Sequence, residues 1–105
     1  MPTEPSWLHP EAIKEARAAR QWYLGRSADA GDAFMAELDT AIARIEQTPS
    51  QWSPYLSGTR RYLLHRFPFF IVFRETVTRI EILAVAHARR RPGYWLGRLS
   101  GRGDR

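Results

Sequence analysis

Apolar positions along this chain recur first at helical spacing and later at strand spacing, and the change of period divides it into two halves. From Glu11 to about Arg26, Ala12, Ala16, Ala19 and Tyr23 fall on one face, with Ile13 and Leu24 widening the stripe. That pattern predicts an amphipathic helix with an alanine-lined contact face. Pro10 suits its first turn, where a missing N–H leaves no bond unmade. Gly25, Arg26 and Ser27 interrupt the period, and Ser27 or Asp29 is placed to cap a second helix from about Ala30 to Gln47. Its buried stripe is Phe34, Leu38, Ala41, Ile42 and Ile45, its outer face carries Asp32, Glu37, Asp39 and Glu46, and Thr48 with Pro49 ends it. Two helices joined by so short a turn form an antiparallel hairpin. Trp22 and Tyr23, at the end of the first helix, are expected in the core or against a sheet.

The second half reads as strands. Thr59 to Arg66, Phe69 to Arg74 and Val77 to Ala86 are rich in branched and aromatic residues, with breaks at Pro68 and at Glu75/Thr76. Breaks this short predict a three-stranded antiparallel meander, and Pro68, which has no N–H to donate, marks a turn or bulge. Ser6, Trp7 and Leu8 make a short extended segment before the first helix. Ser50 to Gly58 is a loop whose Trp52 and Tyr55 fit either core or surface, as does Trp7. The order is therefore β-α-α-β-β-β, an α+β fold in which the N-terminal helix hairpin packs on an antiparallel sheet, because neither layer can bury its apolar face alone.

Composition narrows the class. At 105 residues, 44% hydrophobic and 26% charged, the chain suits one domain with one core, ending in a polar tail at 100–105 that is expected to fray. It has no cysteine, no apolar run long enough to span a membrane and no signal-peptide layout at its start. A soluble, cytoplasmic protein is expected. Charge is divided unevenly: residues 1–57 carry eight acidic and five basic side chains, residues 58–105 three acidic and eleven basic, for a net charge of +5. Any surface for an anionic partner therefore belongs to the second half, and its cations are all arginine, whose planar fork suits phosphates and carboxylates.

The densest chemistry lies in AVAHARRRPGYW, Ala84 to Trp95. Pro92 and Gly93 stop the last strand, which puts His87, Arg89, Arg90 and Arg91 at its end with Tyr94 and Trp95 just beyond. Three adjacent guanidiniums repel one another and are tolerated in solvent or against an anionic partner. Flanked by His, Tyr and Trp, they are read as a binding surface made of Arg89, Arg90, Arg91, Tyr94 and Trp95. His65 and His87 are the second-half side chains that titrate near neutrality, and they form an acid–base pair only if both reach one face. Their plainer role is a backbone hydrogen bond. Arg60, Arg61 and Arg66 have a plain role too, as cross-strand partners of Glu75 and Glu81. No clustered carboxylate or thiolate suggests a metal, and no cofactor is expected.

A short strand, a helix hairpin, then HRFPFFIVF and EILAVAHARRRPGYW closely resembles the RelE/ParE superfamily of toxins from type II toxin–antitoxin modules. The resemblance runs from Leu8, His9, Pro10 and Ala12 to Arg98, and is most specific at Arg66, Phe67, Pro68 and Phe69 and at Ala84, Val85, His87, Arg89, Arg90, Pro92 and Trp95. It implies two helices on an antiparallel sheet and a cognate antitoxin that wraps the toxin. It also implies one of two activities, poisoning of DNA gyrase or cleavage of mRNA on the ribosome. The nuclease reading would use Arg66, His87, Arg89 and Tyr94, with Arg91 as a further phosphate contact. The nucleases of the superfamily carry lysines on the middle strands, whereas the second half here has none, and arginine is a poor proton carrier. The signatures resemble the ParE-like, plasmid-stabilisation branch more closely. The expectation is a toxin that inhibits by binding, with gyrase as target. A ribosome-dependent endonuclease is the alternative, and a basic nucleic-acid-binding domain the third reading.

Overall fold

Pro10–Leu24 forms the first helix (α1), and its start is fixed by His9, whose Nδ1 accepts the Glu11 N–H at 3.0 Å. The computed structural model describes residues 6–100; the tail expected to fray lies, beyond residue 100, outside them. Of the two candidate caps for the second helix (α2, Ala28–Gln47), Ser27 takes the role, its hydroxyl accepting the Ala30 N–H at 3.0 Å. The hairpin is tight because Gly31 admits Leu24: a Cβ at residue 31 would clash with Leu24 Cδ2 and Cγ. Phe34, Leu38, Ala41 and Ile45 are buried on α2 as the period requires, against Ala12, Ala16 and Ala19 of α1.

Five strands follow the order β1-β5-β4-β3-β2, with β1 at Trp7–Leu8, β2 at Ser53–Pro54, β3 at Arg60–Leu63, β4 at Phe69–Glu75 and β5 at Ile80–His87. The α+β fold with a helix hairpin on a sheet is as the sequence implies. The sheet departs from the expected pattern at its edges. β1 lies parallel to β5, so the sheet is mixed, and two residues of the predicted loop, Ser53 and Pro54, pair with Arg61 and Arg60. The strand at Trp7–Leu8 is the short extended segment expected there, and only its parallel seat is new, whereas β2 is an addition two residues long, too short to leave a periodic signature.

The strands β4 and β5 pair from Phe69↔His87 to Glu75↔Ile80, with a bulge that sets Val72 opposite Ala84 and Phe73 opposite Ile82. Leu83 is the extra residue. It and Ala84 consequently join Val72 and Trp95 in a second apolar cluster, while Ile71, Phe73, Ile82 and Val85 pack under the helices. The sheet is thus covered on both faces, by the hairpin on one and by Tyr55 and the segment from Tyr94 to Leu99 on the other. Gly93, at φ 80°, takes the left-handed position of the Pro92–Gly93 turn, and the Tyr94 N–H closes that turn onto the Arg91 carbonyl at 3.2 Å.

The arginine pairing differs from the sequence expectation. Glu81 is only 1% exposed and is held by Arg74 at 2.9 Å and Arg79 at 3.1 Å, whereas Arg60 donates to the Trp52 carbonyl, Arg61 lies over Tyr55 and Arg66 faces Glu37. Register decides this, since Arg74 sits directly opposite Glu81. The three tryptophan and tyrosine positions left open by the sequence are partly buried: Trp52 packs on Tyr62, Tyr55 on Trp95, and Trp7 under the Arg79 guanidinium.

The His9 cap makes stability depend on pH. Burial, then the field of Arg98, lowers the His9 pKa below its ordinary 6.5. A depressed folded-state pKa contributes stability that is full above pH 6.5 and is lost as pH falls through the lower folded value. Thermal melts between pH 7 and pH 5 should show a larger loss for the parent than for His9→Asn, which caps without titrating. Equal pH slopes would remove His9 from this role.

Candidate functional site

Where α1 passes the end of β5, the small side chains of Ala18 and Ala19 leave a cleft of about 490 Å³. Its walls are Trp22, Tyr23, Pro68, Phe69 and Val85, and its polar groups are Glu15, His87, Arg90 and Tyr94. Trp22 stays 56% exposed and carries Arg26 over its ring at 4.1 Å, so it is a surface aromatic rather than the core residue its spacing suggests. Tyr23 is partly buried against the core, stacked on Phe34 at 5.5 Å and edge-on to Phe67 at 4.8 Å.

Glu15 anchors the floor of the cleft. Its Oε1 accepts the Val85 N–H at 2.9 Å and Arg98 Nη1 at 3.0 Å, while Oε2 accepts the Tyr94 hydroxyl at 2.7 Å and Arg98 Nη2 at 2.8 Å. Burial, then the hydrogen bond and charge of Glu15, pushes the Tyr94 phenol well above its ordinary range, so it remains a hydrogen-bond donor at neutral pH. Arg90 lies over Tyr94, its guanidinium carbon 3.8 Å from the ring centre. Neither Glu15 nor Arg98 stands out in the sequence as a site residue. They are 83 positions apart, and Glu15 reads there as an ordinary charge beside the alanine stripe.

The residues singled out from the sequence divide between two places. His87 and Tyr94 share the cleft with Arg90, and Arg89 and Arg91 project from the exposed turn beside it. His87 lies edge-on to Phe69 at 4.9 Å and uses Nδ1 to accept the Arg89 N–H at 3.0 Å, which leaves Nε2 as its remaining ring nitrogen. Arg66 and His65 line a separate hollow of about 290 Å³ with Glu37, Arg44 and Tyr62. Glu37 accepts the His65 and Arg66 backbone N–H groups and lies 3.8 Å from Arg66 Nε. His65 and His87 are therefore not brought to one site. Trp95 requires a correction: at 1% exposure it fills the second cluster against Val72, Leu83 and Ala84 and is core rather than part of an exposed surface. Among the described residues no group of three His, Cys, Asp or Glu side chains is placed to hold a metal, and no helix is long and apolar enough to cross a membrane.

A helix hairpin on a mixed sheet, with an arginine-bearing turn beside an aromatic-walled cleft, defines a class of small α+β proteins. Residues 8–92 match the family described as ParE toxin of type II toxin–antitoxin system, parDE, and the chain belongs to that family. It is 32% identical over 65 residues to Toxin ParE2 of two Mycobacterium tuberculosis strains, CDC 1551 / Oshkosh and ATCC 25618 / H37Rv. The match covers 62% of this chain and 62% of the length of each of these relatives. A solved structure, the chromosomal ParDE TA system from P. aeruginosa, shares the fold at a TM-score of 0.72 and 20% identity, covering 83% of this chain and 98% of that one.

Proposed function

We infer that the protein arrests bacterial growth by binding DNA gyrase and that a cognate antitoxin neutralises it. The observation that carries this reading is the placement of charge. Arg89, Arg90 and Arg91 stand exposed on one turn, while the groups a nuclease would need are dispersed or already engaged. Arg66 lies in the other hollow, His87 Nδ1 is taken by a backbone N–H, and the Tyr94 hydroxyl is bonded to Glu15 with its pKa raised away from neutrality. General acid–base work requires groups that exchange protons near the working pH and reach the same phosphate. A binding surface requires neither. The cleft complements this role: apolar walls with Arg90 at hand suit an amphipathic acidic segment of an antitoxin, which would also screen the arginine turn.

The test is to induce the chain without its antitoxin and follow protein synthesis and plasmid supercoiling over the first minutes. Continued amino-acid incorporation with failing replication and loss of negative supercoiling is expected. An immediate halt of translation with cleaved mRNA would overturn the gyrase reading and favour the endonuclease, with His87 and Tyr94 as its cleft residues. Salt-sensitive binding to random DNA with no effect on gyrase would favour the nucleic-acid-binding reading.

A further inference from the structure

β1 covers the outer edge of β5 only at Glu81 and Ile82, and the chain leaves the sheet after the His9 N–H reaches the Ile82 carbonyl at 2.9 Å. Beyond that point an uncovered edge would leave backbone groups unpaired. Two side chains take the place of the missing strand. Arg98 Nη1 donates to the Leu83 carbonyl at 2.9 Å, and Glu15 accepts the Val85 N–H at 2.9 Å. The two are joined side by side, Arg98 Nη1 and Nη2 each donating to a different carboxylate oxygen, with both side chains mostly buried. A guanidinium–carboxylate fork of this kind fixes orientation as well as charge.

The same carboxylate reaches the contact surface. Glu15 Oε2 accepts the Tyr94 hydroxyl, and the Tyr94 ring carries Arg90. Among the described residues no side-chain partner is seen for Arg89 or Arg91, so Arg90 is the member of the triplet whose place is set by the fold. A cation held in place before association loses fewer rotamers on binding than one free in solvent.

We propose that Glu15 is a positioning residue: paired with Arg98 in place of a strand on β5, it holds Tyr94 and thereby sets Arg90 at the mouth of the cleft for contact with the toxin's target. The proposal rests on the reading that the arginine turn is the toxin's contact surface. It assigns a functional role to a side chain on α1, far in sequence from that turn. Arg89 and Arg91 supply field, and Arg90 supplies a fixed point.

Two measurements test it. The first is the NMR shift of the Arg90 side-chain protons, which the Tyr94 ring should displace upfield in the parent. In Glu15→Gln that displacement should fall by at least half while the chain stays folded. Should Glu15→Gln fail to fold, Tyr94→Phe, which removes only the hydroxyl, should give the same direction of change. An Arg90 shift that is unaltered in the folded variant overturns the proposal whatever the target is. The second is a double-variant cycle read as the amount of induced protein needed to stop growth. Glu15→Gln and Arg90→Ala are each expected to raise that amount roughly tenfold, and the double variant to be no worse than Arg90→Ala, the mark of residues acting as one unit. Losses that multiply would make Glu15 merely structural and overturn the proposal. A parent chain that does not arrest growth would instead defeat the functional reading, and the NMR shift still decides the geometry.

Discussion

Replacing Arg89 and Arg91 together by glutamate is expected to abolish growth arrest while leaving the fold intact. Both side chains are exposed on the turn after β5, and the hydrogen bond that residue 89 makes to His87 uses its backbone N–H, which the substitution keeps. Exposed substitutions of this kind change stability by about 0.5 kcal/mol or less, and relief of repulsion within the triplet acts in the favourable direction. The contact surface fares differently. The formal net charge falls from +5 to +1, and two attractions to an anionic partner become repulsions. On the reading proposed above, exposed charges of this kind steer association, so reversing two of them should slow target binding by about ten- to a thousandfold and remove its salt dependence. Viable counts after induction and inhibition of gyrase supercoiling by the purified protein provide the measurement, with urea denaturation as the control for folding. A double variant as toxic as the parent would move the active surface away from this turn.

Trp95→Ala should produce the largest loss of stability. Trp95 is the largest fully buried side chain and the centre of the second apolar cluster, with the Tyr55 ring 5.9 Å away and Val72, Leu83 and Ala84 beneath it. Truncating a buried tryptophan costs about 3–5 kcal/mol through lost transfer energy and the cavity left behind. A domain of this size is stable by only about 5–15 kcal/mol, so the variant should lie close to its unfolding threshold. The urea midpoint should drop sharply with little change in slope. The loss should also reach the contact surface, because Trp95 is flanked by Tyr94 and stands three residues before Arg98. A midpoint near that of the parent would mean that the second face of the sheet contributes little to the fold.

These two variants separate the roles that the sequence merged. Arg89, Arg90, Arg91, Tyr94 and Trp95 lie close together in the sequence and read as one surface, yet the structure divides them into exposed cations, a clamped phenol and a core anchor. The Pro92–Gly93 turn causes the division. Following the turn at His87–Arg90, it redirects the chain so that Tyr94 lies under Arg90 and bonds Glu15, while Trp95 enters the apolar cluster on the other face of the sheet.

Local pattern alone determined both helices, the three long strands, the breaks at Pro68 and Pro92–Gly93, and the concentration of arginine in the second half. Each of these depends on neighbours a few residues apart, through helical or strand period, fixed proline φ and capping hydroxyls. Tertiary structure decided the rest. The parallel seat of β1, the bulge that turns both Leu83 and Ala84 toward Trp95, the Arg74–Glu81–Arg79 pairing, the separation of His65 from His87 and the Glu15–Arg98 fork all depend on register between distant segments. A shift of one residue along a strand sends a side chain to the opposite face, and nothing local records which face its partner will occupy.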